Sequence, residues 1–143
     1  MGTEVFIRES LRLTRKDLLD NLRDLTPSEL SWQPAPHSNP ISWLVWHMAR
    51  VEDGWVQRAI QRKPQMWVAD GWYQRFGLPE DQRDLGYTHT VEQVLAFKTP
   101  PLDLLLAYNQ AVRDGTLSFL DSWDTQNDAV EARNITRQYV KGT

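Results

Sequence analysis

The chain has 143 residues, of which 41% are hydrophobic and 24% are charged, and this size and composition predict one globular domain with its own core. Its formal net charge of −3 argues against nucleic acid as a partner, because phosphate backbones require a concentrated basic surface. The absence of cysteine excludes disulfides, thiol nucleophiles and cysteine-based zinc sites.

The first long helix is predicted over residues 4–25. Its stripe has the spacing of an α-helix and consists of Ile7, Leu11, Thr14, Leu18, Leu22 and Leu25. The next residues, Thr26, Pro27 and Glu29, have the pattern of a capping box and predict a brief helical turn. Residues 31–39 contain two prolines without a helical period, which predicts a loop.

The second long helix is predicted to run from Asn39, as N-cap, to about Gln61. On a helical wheel one arc of roughly 120° defines the predicted buried face. It holds Ile41, Leu44, His47, Met48, Val51 and Trp55. Trp46 lies opposite this face. A large aromatic side chain at that position is explained either by a dimer contact or by cover from residues 62–88. Those residues are predicted to be an irregular segment packed by aromatic side chains.

Two more helices follow in the prediction. Thr90 and Gln93 form another capping-box pattern, which predicts a short helix through Phe97. The third long helix is predicted to follow the Thr-Pro-Pro sequence at 99–101, and its stripe consists of Leu102, Leu105, Asn109, Val112, Thr116, Leu120 and Trp123. The fold class is therefore all-α, a single domain over 1–143 with three long helices and several short ones. No fourth long helix is predicted after Trp123, so we expect the bundle to be incomplete at its C-terminus.

The N-terminus lacks the pattern of a secretory signal, and no apolar run approaches the roughly 20 residues of a membrane helix. We therefore expect a soluble, cytoplasmic protein with no membrane partner. Of the three histidines, His37 and His89 lie in segments without ligand spacing and are assigned to the surface. His47 is the candidate for chemistry, since it lies on the predicted apolar face. Its imidazole is either a metal ligand or a hydrogen-bonded packing residue.

Five further residues are candidates for lining a pocket near His47. Glu52, at the edge of the predicted buried arc, either orients His47 and acts as an acid or base, or is a solvated carboxylate. Asn109 lies inside an apolar stripe and either lines a cavity or makes hydrogen bonds between helices, and the same holds for Thr116. Trp43 and Trp55 complete the pocket candidates. Seven tryptophans are too many for one small core, so some are expected to meet a ligand or another subunit.

Two stretches of the sequence are distinctive, namely residues 30–34, Leu-Ser-Trp-Gln-Pro, and residues 38–53, Ser-Asn-Pro-Ile-Ser-Trp-Leu-Val-Trp-His-Met-Ala-Arg-Val-Glu-Asp. They resemble the second-helix signature of the DinB-like (YfiT-like) helix-bundle family. Residues 71–79, Gly-Trp-Tyr-Gln-Arg-Phe-Gly-Leu-Pro, and 105–113, Leu-Leu-Ala-Tyr-Asn-Gln-Ala-Val-Arg, are similar to its mycothiol-transferase-like branch.

The resemblance implies an up-down four-helix bundle, often a homodimer, with a divalent metal such as zinc or nickel. In the family the metal is bound by one histidine of the second helix and two residues of the last helix. His47 occupies the first of these positions, and the chain has no counterpart of the last helix before Thr143. Characterised relatives are transferases and isomerases that use a low-molecular-weight thiol, whose thiolate the metal stabilises.

Two functions follow as expectations. The first is a metal-dependent S-transferase or isomerase acting on a small-molecule substrate with a low-molecular-weight thiol, whose catalytic half is incomplete in this chain. The second is a non-catalytic helical bundle that binds a small ligand or dimerises through its tryptophan-rich surface. The catalytic residues are not predicted under either hypothesis.

Overall fold

The computed structural model describes residues 2–123, and every regular element in that range is a helix. The all-α prediction is thereby confirmed. In chain order the elements are α1 Thr3–Leu22, α2 Pro27–Ser31, α3 Ile41–Asp53, a π-helix Gly54–Ile60, α4 Met66–Ala69, α5 Trp72–Phe76, α6 Val91–Ala96 and α7 Leu102–Asp121. The prediction that no fourth long helix follows Trp123 concerns residues 124–143, which lie outside the described residues. No helix within 2–123 is long and apolar enough to cross a membrane.

Both predicted capping boxes are present. Glu29 donates its backbone N–H to the Thr26 hydroxyl over 3.2 Å, and the Glu29 carboxylate accepts the Thr26 backbone N–H over 2.7 Å. Thr90 and Gln93 repeat this exchange at the start of α6. Each box satisfies backbone donors that the first turn of a helix leaves without partners.

Two predicted helix boundaries differ from the structure. α1 ends at Leu22 rather than near residue 25, because Asp24 adopts a φ of 62°, in the left-handed region that interrupts a right-handed helix. The N-cap of α3 is Pro40 and not Asn39, since Pro40 still has an extended ψ of 157°. The second long helix extends to Ile60 as predicted, although its last 7 residues form the π-helix. Hydrogen bonds in a π-helix span one residue more than those in an α-helix.

The predicted buried face of α3 is wrong. Leu44 and Met48 are 41% and 52% exposed, whereas the buried set is Ser42, Trp43, Val45, Trp46, Ala49, Arg50 and Asp53. The helix is turned toward Arg50 and Asp53 because residues 62–89 supply partners for both charged side chains. Periodicity assigns charged residues to the solvent side, and these two are exceptions.

Arg50 is fully buried and anchors the irregular segment through its guanidinium group. It donates to the side-chain oxygen of Gln65 over 2.7 Å, and to the backbone carbonyls of Asp81 and Asp84 over 2.9 and 3.0 Å. The same guanidinium lies 4.4 Å from the ring centroid of Trp67. A planar group with five donors suits this arrangement, because several carbonyls and an aromatic face surround it at once.

Asp53 is the second buried charged residue of α3. Its carboxylate accepts the backbone N–H groups of Met66 and Trp67, each over 2.9 Å, and the hydroxyl of Tyr108 over 2.8 Å. It therefore caps α4 and joins α3 to α7. Burial raises the pKa of Asp53, against the opposite effect of these hydrogen bonds, and burial also raises the pKa of Tyr108.

The aromatic core explains most of the tryptophan content. Trp46 is buried, and its ring centroid lies 6.3 Å from Trp67 and 5.4 Å from Phe97. Of its two proposed explanations, cover by residues 62–88 is correct in part, since Trp67 belongs to that segment and Phe97 lies beyond it. Trp43, Trp67 and Trp72 are also buried, whereas Trp32 is 64% exposed, in line with the expectation that not all seven enter the core.

The predicted stripe of α7 is largely confirmed. Five of its residues are buried, namely Leu105, Asn109, Val112, Thr116 and Leu120. Tyr108 is buried as well and was not predicted. α7 packs against α3 along this stripe, and the two helices provide the frame for the candidate site.

Candidate functional site

A cavity of about 340 Å³ lies between α1, α3 and α7. Its size falls near the lower end of small-molecule pockets, which span about 300 to 1,000 Å³. Polar and charged side chains from all three helices line it together with apolar ones. The lining residues are Thr14, Arg15, Leu18, His47, Met48, Val51, Glu52, Tyr87, Asn109 and Arg113.

His47 lines the cavity with a fixed ring orientation. Its Nδ1 is hydrogen bonded to the backbone carbonyl of Leu85. A carbonyl only accepts, so Nδ1 carries the proton and Nε2 carries the lone pair in the neutral imidazole. The ring stacks on Trp43, with centroids 4.8 Å apart and planes at 19°, and meets Tyr87 edge to face at 5.1 Å. Within residues 2–123, Nε2 has no hydrogen-bond partner.

The segment that carries the Leu85 carbonyl is held by His89. His89 Nε2 lies 2.7 Å from Asp84 Oδ1, and His89 Nδ1 accepts the indole N–H of Trp43 over 3.1 Å. The predicted surface role of His89 is therefore wrong, because its side chain is only 12% exposed and bridges two elements. Arg50 holds the same segment through the Asp84 carbonyl, as described above. His47 is thus oriented by a loop that is itself anchored at both ends.

Gly86 lies where this loop packs against α3. Its φ of 91° is in the region that favours glycine. A Cβ at this position would lie 2.8 Å from Cζ2 of Trp43 and 2.9 Å from Nδ1 of His47. The loop therefore approaches the His47 ring closely only because position 86 has no side chain.

Glu52 is neither a solvated carboxylate nor the group that orients His47. Its two oxygens accept from Nε and Nη2 of Arg113 over 2.9 and 3.0 Å, and one also accepts the Thr116 hydroxyl over 2.7 Å. This two-pronged geometry is the strong form of an ion pair. Arg113 also donates to the backbone carbonyl of Leu11 over 2.5 Å, so the cluster joins all three helices.

Arg15 reaches the cavity from α1 and pairs with amide side chains. It donates to Oδ1 of Asn109 and, over 2.7 Å, to Oε1 of Gln110. Its Nε is buried without a hydrogen-bond partner in the described part of the chain. Burial lowers the pKa of Arg15, and the positive charge of Arg113 lowers it further. Asn109 thus both lines the cavity and bonds across helices, which combines its two proposed roles.

The structure brings together His47, Glu52 and Asn109 in the cavity wall, and places Trp43 behind the His47 ring. Trp55 is not among the lining residues. Sequence reasoning missed Arg15, which lies four residues after Leu11 and at the edge of the α1 stripe. Charged residues at such an edge are usually solvated, so the only available signal was its helical spacing.

A divalent metal such as zinc requires three or four protein ligands grouped around one point. His47 suits one ligand position, because a second-nitrogen hydrogen bond to a carbonyl is the usual support of a metal-bound imidazole. Among residues 2–123, however, no three His, Cys, Asp or Glu side chains are grouped so as to hold a metal ion. Glu52 is already bound to Arg113. The described residues therefore do not form a metal site by themselves.

A family model described as the DinB superfamily matches residues 10–139. The structure is similar to the crystal structure of a conserved protein from Enterococcus faecalis, with a TM-score of 0.78 and 26% sequence identity. That similarity covers 88% of this chain and 74% of the other. None of the curated proteins matches the chain. The family match spans most of the sequence and includes every residue that lines the cavity.

Proposed function

We propose, from the premise that this chain belongs to the DinB superfamily, that it binds a small molecule in the cavity between α1, α3 and α7. One observation carries the proposal. An imidazole of fixed orientation, His47, lines the same cavity as two guanidinium groups, Arg15 and Arg113. Convergent polar groups in an otherwise apolar cleft are typical of ligand sites.

His47 supplies the reactive position of this site. Because its Nδ1 is committed to the Leu85 carbonyl, Nε2 is the nitrogen that accepts a hydrogen bond or a proton from the ligand. The stacked Trp43 and the edge of Tyr87 restrict rotation of the ring. A ligand therefore meets a preorganised acceptor, which lowers the entropy cost of binding.

Saturation-transfer NMR with a fragment collection tests the proposal. We expect several fragments to receive saturation from the wild-type protein, and their signals to disappear in Val51→Trp, where the new indole fills the cavity. Val91→Trp is the matched control, since Val91 is partly exposed on α6 and lies outside the cavity. Fragments that bind Val51→Trp as well as the wild type would place the ligand elsewhere and refute this proposal.

A second candidate function is the metal-dependent S-transferase or isomerase that uses a low-molecular-weight thiol. The protonated Nδ1 of His47 and its carbonyl partner favour it, since this leaves Nε2 available for zinc or nickel. A bound metal would lower the pKa of the thiol and supply a nucleophilic thiolate at neutral pH. His47 would be one ligand, and the remaining ligands would come from outside the described residues.

Metal stoichiometry separates the two candidates. Under the enzyme hypothesis, zinc or nickel binds near one ion per chain, and His47→Ala loses it while His37→Ala, an exposed loop residue, does not. Fewer than about 0.2 ions per chain at micromolar metal would contradict the metal-dependent function and leave only the small-molecule site. Circular dichroism of both variants distinguishes ligand loss from unfolding.

The homodimer implied by the family resemblance is a separate proposal. Trp46 no longer supports it, because its ring is buried inside one chain. Exposed apolar side chains such as Trp32 and Phe6, at 64% and 62%, provide the available surface. Sedimentation equilibrium of the wild-type protein tests this assembly, and a monomer at all concentrations would exclude it.

A further inference from the structure

We infer that the cavity selects a small organic anion, with a carboxylate bound by Arg15 and an apolar body against Leu18, Met48 and Val51. This inference rests on the proposed function and specifies its ligand class. It starts from the charge balance of the cavity, in which two guanidinium groups face one carboxylate.

The carboxylate of Glu52 is already neutralised. It takes two hydrogen bonds from Arg113 and one from Thr116, so its charge is satisfied within the wall. The Arg113–Glu52 pair is also mostly buried, with side-chain exposures of 13% and 22%. Such a pair presents little net charge to a ligand. The second guanidinium, Arg15, is left as the source of positive charge in the cavity.

Arg15 has only neutral hydrogen-bond partners in the described part of the chain. Its two acceptors are the side-chain amides of Asn109 and Gln110, while its Nε finds no acceptor there. Arginine carries five N–H donors in a planar fork that matches a carboxylate. Two carboxylates act on Arg15 by charge alone, namely Asp114 and Glu52. Asp114 is exposed to solvent, where screening weakens its effect, and Glu52 is already paired with Arg113.

The remaining wall determines the rest of the ligand. Leu18, Met48 and Val51 contribute apolar surface between the polar groups, and Tyr87 adds an aromatic edge. A bare inorganic anion would leave this surface in contact with water. An anion with a hydrocarbon or aromatic body would bury it, and removal of apolar surface from water favours binding.

A matched pair of probes tests the inference, namely benzoate and benzamide, which share an apolar ring and differ in the carboxylate charge. In ¹H–¹⁵N NMR titrations of the wild-type chain, we expect benzoate to bind roughly 10- to 100-fold more tightly than benzamide, the usual effect of a charged hydrogen bond. Arg15→Gln should reduce benzoate affinity to that of benzamide. Arg15→Lys, which keeps the charge without the fork, should restore part of it.

Arg12→Gln is the matched control, because Arg12 lies on the same helix and pairs with Glu9 at the surface. Its benzoate affinity should equal that of the wild type. Equal binding of benzoate and benzamide, or full benzoate affinity in a folded Arg15→Gln, would overturn the anion inference and leave the small-molecule site standing. If neither probe shifts the resonances of the cavity residues, both the inference and the site fail for ligands of this class.

Discussion

Glu52 and Arg113 join α3 to α7 through two parallel hydrogen bonds of 2.9 and 3.0 Å. The pair lies in the cavity wall and also reaches α1 through the Leu11 carbonyl. A single contact set therefore connects the three helices that enclose the site. The stability of this contact set and the charge balance of the cavity are consequently linked. Removal of the Glu52 carboxylate both loosens the helices and leaves a second guanidinium, that of Arg113, uncompensated.

The substitution Glu52→Gln should lower the free energy of unfolding by about 1–2 kcal/mol, because a charged, two-pronged hydrogen bond is replaced by a neutral one in a mostly buried position. Urea denaturation monitored by circular dichroism measures the change. Glu9→Gln provides the comparison, since Glu9 pairs with Arg12 at the surface, where solvent screens the pair and its loss should destabilise the protein much less. Similar losses in the two variants would contradict the structural role of the Glu52 pair.

Two of the three positive-φ glycines in the described range, Gly86 and Gly77, should respond differently to alanine. Gly77→Ala meets open space and should cost only the backbone strain of a left-handed alanine, about 1–2 kcal/mol. Gly86→Ala adds a collision with Trp43 and His47 and should cost at least about 1–3 kcal/mol more. Thermal unfolding of both variants measures the difference. Equal destabilisation would show that the loop does not approach the His47 ring as described.

Asp53 should impart a recognisable pH dependence to stability. Its folded-state pKa is raised above the ordinary 3.8, chiefly by burial, so the native state holds this proton more tightly than the unfolded state. Protonation of Asp53 therefore stabilises the native state. The contribution of Asp53 to the wild-type free energy of unfolding should increase as the pH falls through the raised pKa toward 3.8, and should be lost as the pH rises.

Asp53→Asn serves as the reference for that measurement. An amide cannot titrate, so the difference in unfolding free energy between the wild type and the variant should increase as the pH is lowered from 7. The variant itself should be less stable at pH 7 by about 1–3 kcal/mol, since an amide NH₂ would face the backbone donors of Met66 or Trp67. A pH-independent difference would refute the raised pKa.

Arg50 should control the order of the loop behind His47. Arg50→Lys keeps a positive charge but not the planar fork, so the Asp81 and Asp84 carbonyls should lose partners at a cost of about 2–4 kcal/mol. Hydrogen exchange should accelerate at residues 81–89 before the rest of the chain. Arg75→Lys, an exposed residue stacked on Trp72, should leave that exchange unchanged. Uniform acceleration across the chain would argue against a local role.

Much of the fold was predictable because its signals are local. The capping boxes at Thr26 and Thr90 depend on residues three positions apart, and the stripe of α7 depends on helical spacing alone. The buried face of α3 was not predictable in this way. Arg50 and Asp53 are buried because distant residues, including Gln65 and Trp67, complete their hydrogen bonds. No periodicity in one helix contains that information.

Part of the candidate site was also predictable from local signals. His47, Glu52 and Asn109 were selected from helix positions, and the structure places them around one cavity. The roles of Leu85 and His89 depend on the path of an irregular loop, which sequence spacing does not determine. Arg15 was not predicted as a site residue, because a charged residue on an amphipathic helix ordinarily faces water.

The attachment of α1 has a consequence for access to the cavity. Of its 20 residues only Leu22 is buried, and its middle turns are tied to α7 through the side chain of Arg15 and the Leu11 carbonyl. Separation of this wall therefore exposes less buried surface than separation of α3 or α7 would, and water can replace the polar contacts that it breaks. Among the three long helices in the described range, α1 has the fewest buried side chains, so we expect local opening of the cavity to begin with α1.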